Sequence, residues 1–484
     1  MDLHIHLEGR DDLARQIHRQ LRAAIVSGRL SRGDRLPPTR ELARRLDVSR
    51  NTVSLAYEWL VAEGLLAGRK GAGSFVESEP VSHPQRKSGG AAIRVREVWE
   101  SIDAPEPRAA APRCDFGVGT PDASLFPFDT WRRLLARQLR ASKLPAVYGD
   151  AAGHPKLRAA IARSIAVSRG VSADADDVIV TNGAQQAFDL IARVLLEPEM
   201  CVVVEEPGYP PPRLLFESYG ARVTPVRVDG QGLDVAKLPD DARLVYVTPS
   251  HQFPLGMPMS HARRAALLAW AERRNAVVIE DDYDSEFRFG GRPLETLQAI
   301  DRGGRVIYAG SFSKSLLPSL RLGFLIAPPS LRRALRAASY VAGWYCQWPA
   351  QAALASLIEK GLLARHVRKV RREYAARHDR ILGALTSNFD EWLEPVPSVT
   401  GMHLAARLRS RSVRFEAEIA ERAREAEVGF DRLSLYCAAR PRQAGLVLGY
   451  GAIATADIDE GLRRLRRCVT QAAASAASGS GRGD

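Results

Sequence analysis

The sequence predicts a small helical domain closed by a β-hairpin, then a linker, then a large α/β domain. Three observations predict this. Apolar residues recur every four positions near the start, at Leu13, Ile17, Leu21 and Ile25. Segments rich in Pro, Ala, Gly and Ser, "PVSHPQRKSGGAA" and "APEPRAAAP", interrupt the chain between 80 and 112. Beyond them, short β-branched runs alternate with helical patterns, which argues for a mostly parallel sheet with crossover helices. A chain of 484 residues also exceeds one ordinary core. The resulting boundaries are 1–78, a linker at 79–112, a large domain at 113–470, and a low-complexity tail at 471–484 expected to be disordered.

In the first domain, the four-residue recurrence marks an amphipathic helix ending at Gly28. Glu41 to Leu46 reads as a short second helix, "DVS" as a tight turn, and Asn51 to Glu63 as a third helix with Ser49 near its N-cap. Val53, Tyr57 and Leu60 share one face and form a small core, leaving Arg50, Asn51 and Ser54 pointing away. "LLAGRKGAGSFV", Leu65 to Val76, reads as a hairpin around a Gly- and cation-rich turn with Arg69 and Lys70. A helix-turn-helix presents the start of its second helix to the major groove, where Arg and Asn suit base edges. A solvated protein-binding module is the blander alternative.

In the large domain, the strands read from "DVIVT", "CVVVEEP", "RLVYVTPS", "AVVIEDDY", "RVIYAGSFS" and "LGFLIAP". Chemistry-bearing residues fall at their ends. Gly183, Ala184 and Gln185 follow the first strand and open a helix, a seat for phosphate. Tyr209 follows "EEPG" and can stack on a flat ring. Asp281 and Tyr283 end "VIEDDY", where a carboxylate and a phenol can meet a ring nitrogen and a ring oxygen. Lys314 sits between Ser311 and Ser313, with Arg321 beyond. Imine formation by such a lysine needs an uncharged amine and so a desolvated or cationic setting. Together these groups meet the requirements of pyridoxal 5′-phosphate.

Composition limits the alternatives. Hydrophobic content of 45% and charged content of 26% are those of a soluble globular protein. The net charge of +13 favours a polyanionic partner, although Arg is spread along the whole chain. Five scattered cysteines form no C-x-x-C pair, so no disulfide framework and no metal site is expected. "MDLHIHLEGRDD" has no apolar core of a signal peptide, and no run approaches the ~20 residues of a membrane span. The reading is a cytoplasmic protein.

Residues 36–66, "LPPTRELARRLDVSRNTVSLAYEWLVAEGLL", resemble the winged helix of GntR-type bacterial repressors. The resemblance implies DNA contacts at Arg40, Ser49, Arg50, Asn51 and Thr52. Residues 113–470 resemble fold-type I aminotransferases. That implies Lys314 as the Schiff-base lysine, Asp281 as partner of the pyridine nitrogen, Tyr283 at the ring oxygen and Tyr209 as stacker. It also implies Ala184, Gln185, Ser311, Ser313 and Arg321 around the phosphate. "VYGDAAGHPKLRAAIA" implies that Tyr148 reaches the phosphate of a neighbouring subunit, hence a homodimer.

The enzyme pattern breaks in two places. Phe253 in "HQFPLG" replaces the asparagine that touches the ring oxygen, with His251 or Gln252 as substitutes. Val447 stands where the substrate-carboxylate arginine is expected, with Arg432 or Arg213 as candidates. "SHQFP", "EDDYDSEFR" and the order of domains resemble the MocR subfamily of GntR regulators. The implied protein is a head-to-tail dimer that binds operator DNA and senses an amine, amino acid or vitamin B6 compound through Lys314. The alternatives are a working aminotransferase with an appended DNA-binding domain, and a regulator whose large domain is only a scaffold.

Overall fold

A computed structural model describes residues 5–7, 9, 11–69, 73–77, 94–103, 111–290, 295–410, 412–441 and 443–480, without side chains for 476–480. The chain divides into two compact units, Met1–Val95 and Arg96–Asp484.

In the first unit, helix Leu13–Val26 buries Ile17, Leu21 and Ile25 on one stripe. They pack with Leu42, Val53, Ala56, Tyr57 and Leu60 from helices Thr39–Arg45 and Arg50–Ala62. The latter helix starts where Ser49 Oγ accepts the Thr52 amide at 3.1 Å, a cap of ~1 kcal/mol. Tyr57 anchors the segment before the short helix by donating to Pro37 O at 2.8 Å. Strands Leu66–Arg69 and Gly73–Val76 pair antiparallel and form the expected hairpin. Lys70 at its turn lies outside the described residues.

The second unit is built on an eight-stranded sheet. Its order is Val178–Thr181, Gly323–Ile326, Val306–Ser311, Val277–Asp282, Ala242–Val247, Cys201–Glu206, Arg222–Asp229 and Gly232–Leu233. The strands from Val306–Ser311 to Arg222–Asp229 run parallel. Gly323–Ile326 runs antiparallel to both its neighbours, so the sheet is mixed. The reason is its connection: residues 312–322 hold only a short 3₁₀ turn, without the crossover helix that a parallel return requires. A four-stranded sheet follows, in the order Leu393–Pro395, His403–Leu408, Gly445–Gly449 and Asp431–Arg432. It packs with helices Leu362–Asn388, Val413–Glu425 and Ile458–Ser480.

Two expectations need correction. The tail is helical as far as it is described: helix Ile458–Ser480 runs into it and buries Ala472, and that packing favours the helix, while 481–484 lie outside the described residues. The linker also has structure at its far end. Helix Glu97–Glu100 is preceded by Arg96, which donates to Ser218 O at 2.8 Å. Residues 78–93 and 104–110 of the linker lie outside the described residues. All five cysteines are free thiols. Among the described residues, no helix is long and apolar enough to cross a membrane.

Candidate cofactor site and DNA-reading face

The carboxyl ends of the central strands surround a cavity of about 380 Å³. Ala184, Gln185, Tyr209, Asp281, Tyr283, Ser311, Ser313, Lys314 and Arg321 all line it. They come from segments up to ~140 positions apart, and only the sheet topology brings them together.

Lys314 lies just past strand Val306–Ser311 and donates from Nζ to Gly119 O at 2.5 Å. Burial pushes its pKa down, while Asp284 and Asp281 oppose the shift. A lysine so placed is more readily neutral, which is what nucleophilic attack on a carbonyl requires. Asp281 is buried near the end of strand Val277–Asp282. Tyr246 donates to its Oδ2 at 2.6 Å, and its Oδ1 is buried without a partner. Burial raises the Asp281 pKa to about 7.

The turn at Gly183 has φ +84°, a region that favours glycine. A Cβ there would also lie 2.7 Å from Arg321 Nη2. Arg321 donates to Asn182 O at 2.7 Å, which holds its guanidinium against this turn. Helix Ala184–Leu195 has no side-chain cap, so its first amides remain available to an anion. Ser311 Oγ accepts from Ser313 N at 3.1 Å.

Tyr209 packs edge-on against Phe253, with ring centroids 5.2 Å apart, and burial raises its pKa to about 12. Phe253 also meets Tyr436 and His403, at 4.9 and 5.4 Å. The residue in place of the asparagine is thus a hub of an aromatic wall. Neither proposed substitute for that asparagine is among the residues lining the cavity. His251 sits behind Tyr283, its Nδ1 2.9 Å from the phenol oxygen and 3.0 Å from Asp284 Oδ1. In the tautomer whose Nδ1–H faces the carboxylate, the phenol O–H is left to donate into the cavity. Gln252 is buried and ties the loop together, donating to Pro207 O and Phe253 O at 2.9 and 2.6 Å.

Neither arginine proposed for a carboxylate lines the cavity. Arg213 pairs along its own helix with Glu217 at 3.1 Å, and Arg432 lies in a short strand paired with Leu446. Tyr148 is 77% exposed and stacks on Trp344 at 4.3 Å. Sequence reasoning missed Asp284, His403 and Gly119. Asp284 stood in a run already noted for its acids, but the other two carry no local motif. Ligand-type atoms of His251, Asp284 and His403 lie within 4.8 Å of one another. Two of these are already committed: His251 faces Asp284, and His403 Nε2 donates to Pro254 O at 3.0 Å.

These residues fit pyridoxal phosphate. Asp281 Oδ1 is an orphaned buried acceptor suited to a protonated ring nitrogen. The glycine turn at Arg321 leaves room that a Cβ would fill. Among the described residues, Lys314 is the one lysine in the lining.

In the first unit, Arg40, Ser49, Arg50 and Asn51 are exposed and Thr52 is half-buried. Ser49 Oγ and Thr52 Oγ1 lie 2.8 Å apart, so both hydroxyls take part in the cap as well as facing outward. Arg69 is exposed on the hairpin, 3.5 Å from Glu77 and over the Phe75 ring at 4.9 Å.

Comparisons with known proteins agree with both halves. The family "Bacterial regulatory proteins, gntR family" matches residues 13–76, and "Aminotransferase class I and II" matches residues 113–428. The chain is 40% identical over 462 residues to the "Probable rhizopine catabolism regulatory protein MocR" of Rhizobium meliloti, covering 93% of this chain and 92% of that protein. It is 33% identical to the "HTH-type transcriptional regulator TauR" of Rhodobacter capsulatus, covering 95% and 97%. Among solved structures, it is similar to the kynurenine aminotransferase of Pyrococcus horikoshii, with TM-score 0.71 and 27% identity, over 78% of this chain and 97% of that one. Two domains of these types, in this order and over this length, place the chain among the MocR-type transcription regulators of the GntR family.

Proposed function

We propose that this regulator holds pyridoxal phosphate on Lys314 and uses it to sense a small amine, amino acid or B6 compound. The observation that carries the reading is Asp281. It is a buried carboxyl with one oxygen held by Tyr246 and the other without a partner, in the same cavity as Lys314. When bound, the cofactor supplies an aldehyde that exchanges between amines and a ring that withdraws electrons. Lys314 would provide the displaceable amine, and burial favours its neutral form. Asp281 holds a proton at the ring nitrogen. Tyr283 donates to the ring oxygen, oriented by His251. The Gly183 turn, Ser311, Ser313 and Arg321 hold the phosphate, and Tyr209 covers the ring.

In the first unit, the exposed start of helix Arg50–Ala62 reads base edges, with Arg40, Ser49, Thr52, Arg69 and Lys70 near phosphates. An effector changes DNA binding only by favouring one arrangement of the chain over another. A head-to-tail homodimer is part of the proposal. Tyr148, Val147, Tyr340 and Val341 are exposed apolar side chains around the Tyr148–Trp344 pair, as expected of a surface covered by a second copy. The protein would act in the cytoplasm, where the chromosome is.

The test loads purified protein with the cofactor and measures operator binding as amines are added. A change in operator affinity that requires both cofactor and amine supports the reading. Operator binding indifferent to both contradicts it. An active transaminase is the second reading, favoured by Lys314, Asp281 and Arg321 lining one cavity. Steady turnover of an amino donor with a 2-oxo acid would establish it.

A further inference from the structure

Within one chain, the described lining of the cavity is poor in counter-charge for a carboxylate. Among the described residues, its basic lining consists of Lys314, Arg321 and His403. Lys314 is the attachment point, and Arg321 is held at the Gly183 turn. Burial pushes the His403 pKa well below 6.5, with His251 adding to the effect, so its ring is neutral. Val447 is fully buried and packs with Leu255, Met257, Val396 and Leu433, an apolar cluster rather than a guanidinium.

The remaining polar lining favours donors. His403 Nε2 donates to Pro254 O, which leaves Nδ1 as an acceptor. Tyr436 donates its O–H to Asp431 at 2.9 Å, so that proton is not offered to a ligand. Asp284 brings a carboxylate to the same wall. A ligand carboxylate here would lose its water beside the Asp284 carboxyl and the His403 acceptor, a combination that is costly without a cation. A hydroxyl or N–H would be satisfied.

We infer that the effector is a primary amine without a carboxylate, carrying a hydroxyl or similar donor that meets His403 and Asp284. This rests on the cofactor-sensing reading above and narrows it.

The test titrates cofactor-loaded wild-type protein with matched pairs: ethanolamine and serine, tyramine and tyrosine, histamine and histidine. The readout is the shift of the bound cofactor's visible band. The inference expects the amine of a responding pair to bind at least about tenfold more tightly than its amino acid. Equal or tighter binding of the amino acids overturns it, as does silence of every pair at millimolar concentration. Failure to acquire any visible band on loading is a different outcome, and it overturns the sensing reading itself. His403→Leu gives a second check. It should weaken ethanolamine about tenfold and leave ethylamine unchanged. Equal weakening of both would show that His403 acts only through the fold.

Discussion

Lys314 Nζ and the carbonyl oxygen of Gly119 are 2.5 Å apart, across 195 positions of sequence. The contact brings the segment that enters the large unit onto the loop after strand Val306–Ser311. It holds the lysine in the cavity while burial lowers its pKa. A Cβ at position 119 would lie 2.9 Å from that nitrogen, and φ there is +80°. Gly119→Ala should therefore slow or weaken covalent loading of the cofactor by about tenfold or more, with Lys314 still present. Loading kinetics followed by absorbance check this.

Gly183→Ala tests the phosphate seat. The added methyl meets Arg321 at 2.7 Å in a left-handed turn. Cofactor affinity should fall by at least about tenfold, and stability by about 1–2 kcal/mol. Equilibrium dialysis and chemical denaturation separate the two effects.

Asp281→Asn tests the buried acid. Burial raises the Asp281 carboxyl from 3.8 to about 7 in the folded chain. Below the lower value both states carry the proton and the burial has no cost. As pH rises through this window the unfolded chain ionises first, so the wild type loses stability. The amide variant escapes that loss. Cofactor-free Asp281→Asn should match the wild type at about pH 4 and exceed it at about pH 8, by of order 4 kcal/mol at most. Its cofactor affinity should fall, because the ring nitrogen loses its anionic partner. Urea denaturation at both pH values checks the first statement.

Arg50→Ala tests the reading helix. Arg50 is exposed at its start and outside the small core. Operator affinity should fall by about 1–3 kcal/mol and discrimination should relax, while cofactor loading is unchanged. Electrophoretic mobility shifts with matched and altered operators measure both.

Much of this architecture was legible because it is written in local patterns. The spacing of Ile17, Leu21 and Ile25 shows the first helix, and Ser49 shows a cap. The β-branched runs ending at Asp281 and Ser311 locate strand ends, and strand ends locate the cavity. What was not legible depended on distant partners. Gly119 carries no motif, and only the fold places it on Lys314. His403 is one histidine in a strand until Pro254 fixes its tautomer. His251 was expected at the cofactor, but its contact with Asp284 sets it behind Tyr283. The tail looked structureless by composition, yet Ala472 is buried, and packing decides such marginal helices. Arg213 and Arg432 were plausible by type alone; an i,i+4 partner and a strand edge hold them elsewhere.

The most direct measurement of the central claim is reductive trapping. Wild-type protein and Lys314→Ala are incubated with pyridoxal phosphate, treated with borohydride, digested and analysed by mass spectrometry. A cofactor adduct confined to the peptide containing Lys314, and absent from the variant, is the predicted result. No adduct on the wild type, or equal labelling of other lysines, would contradict the account.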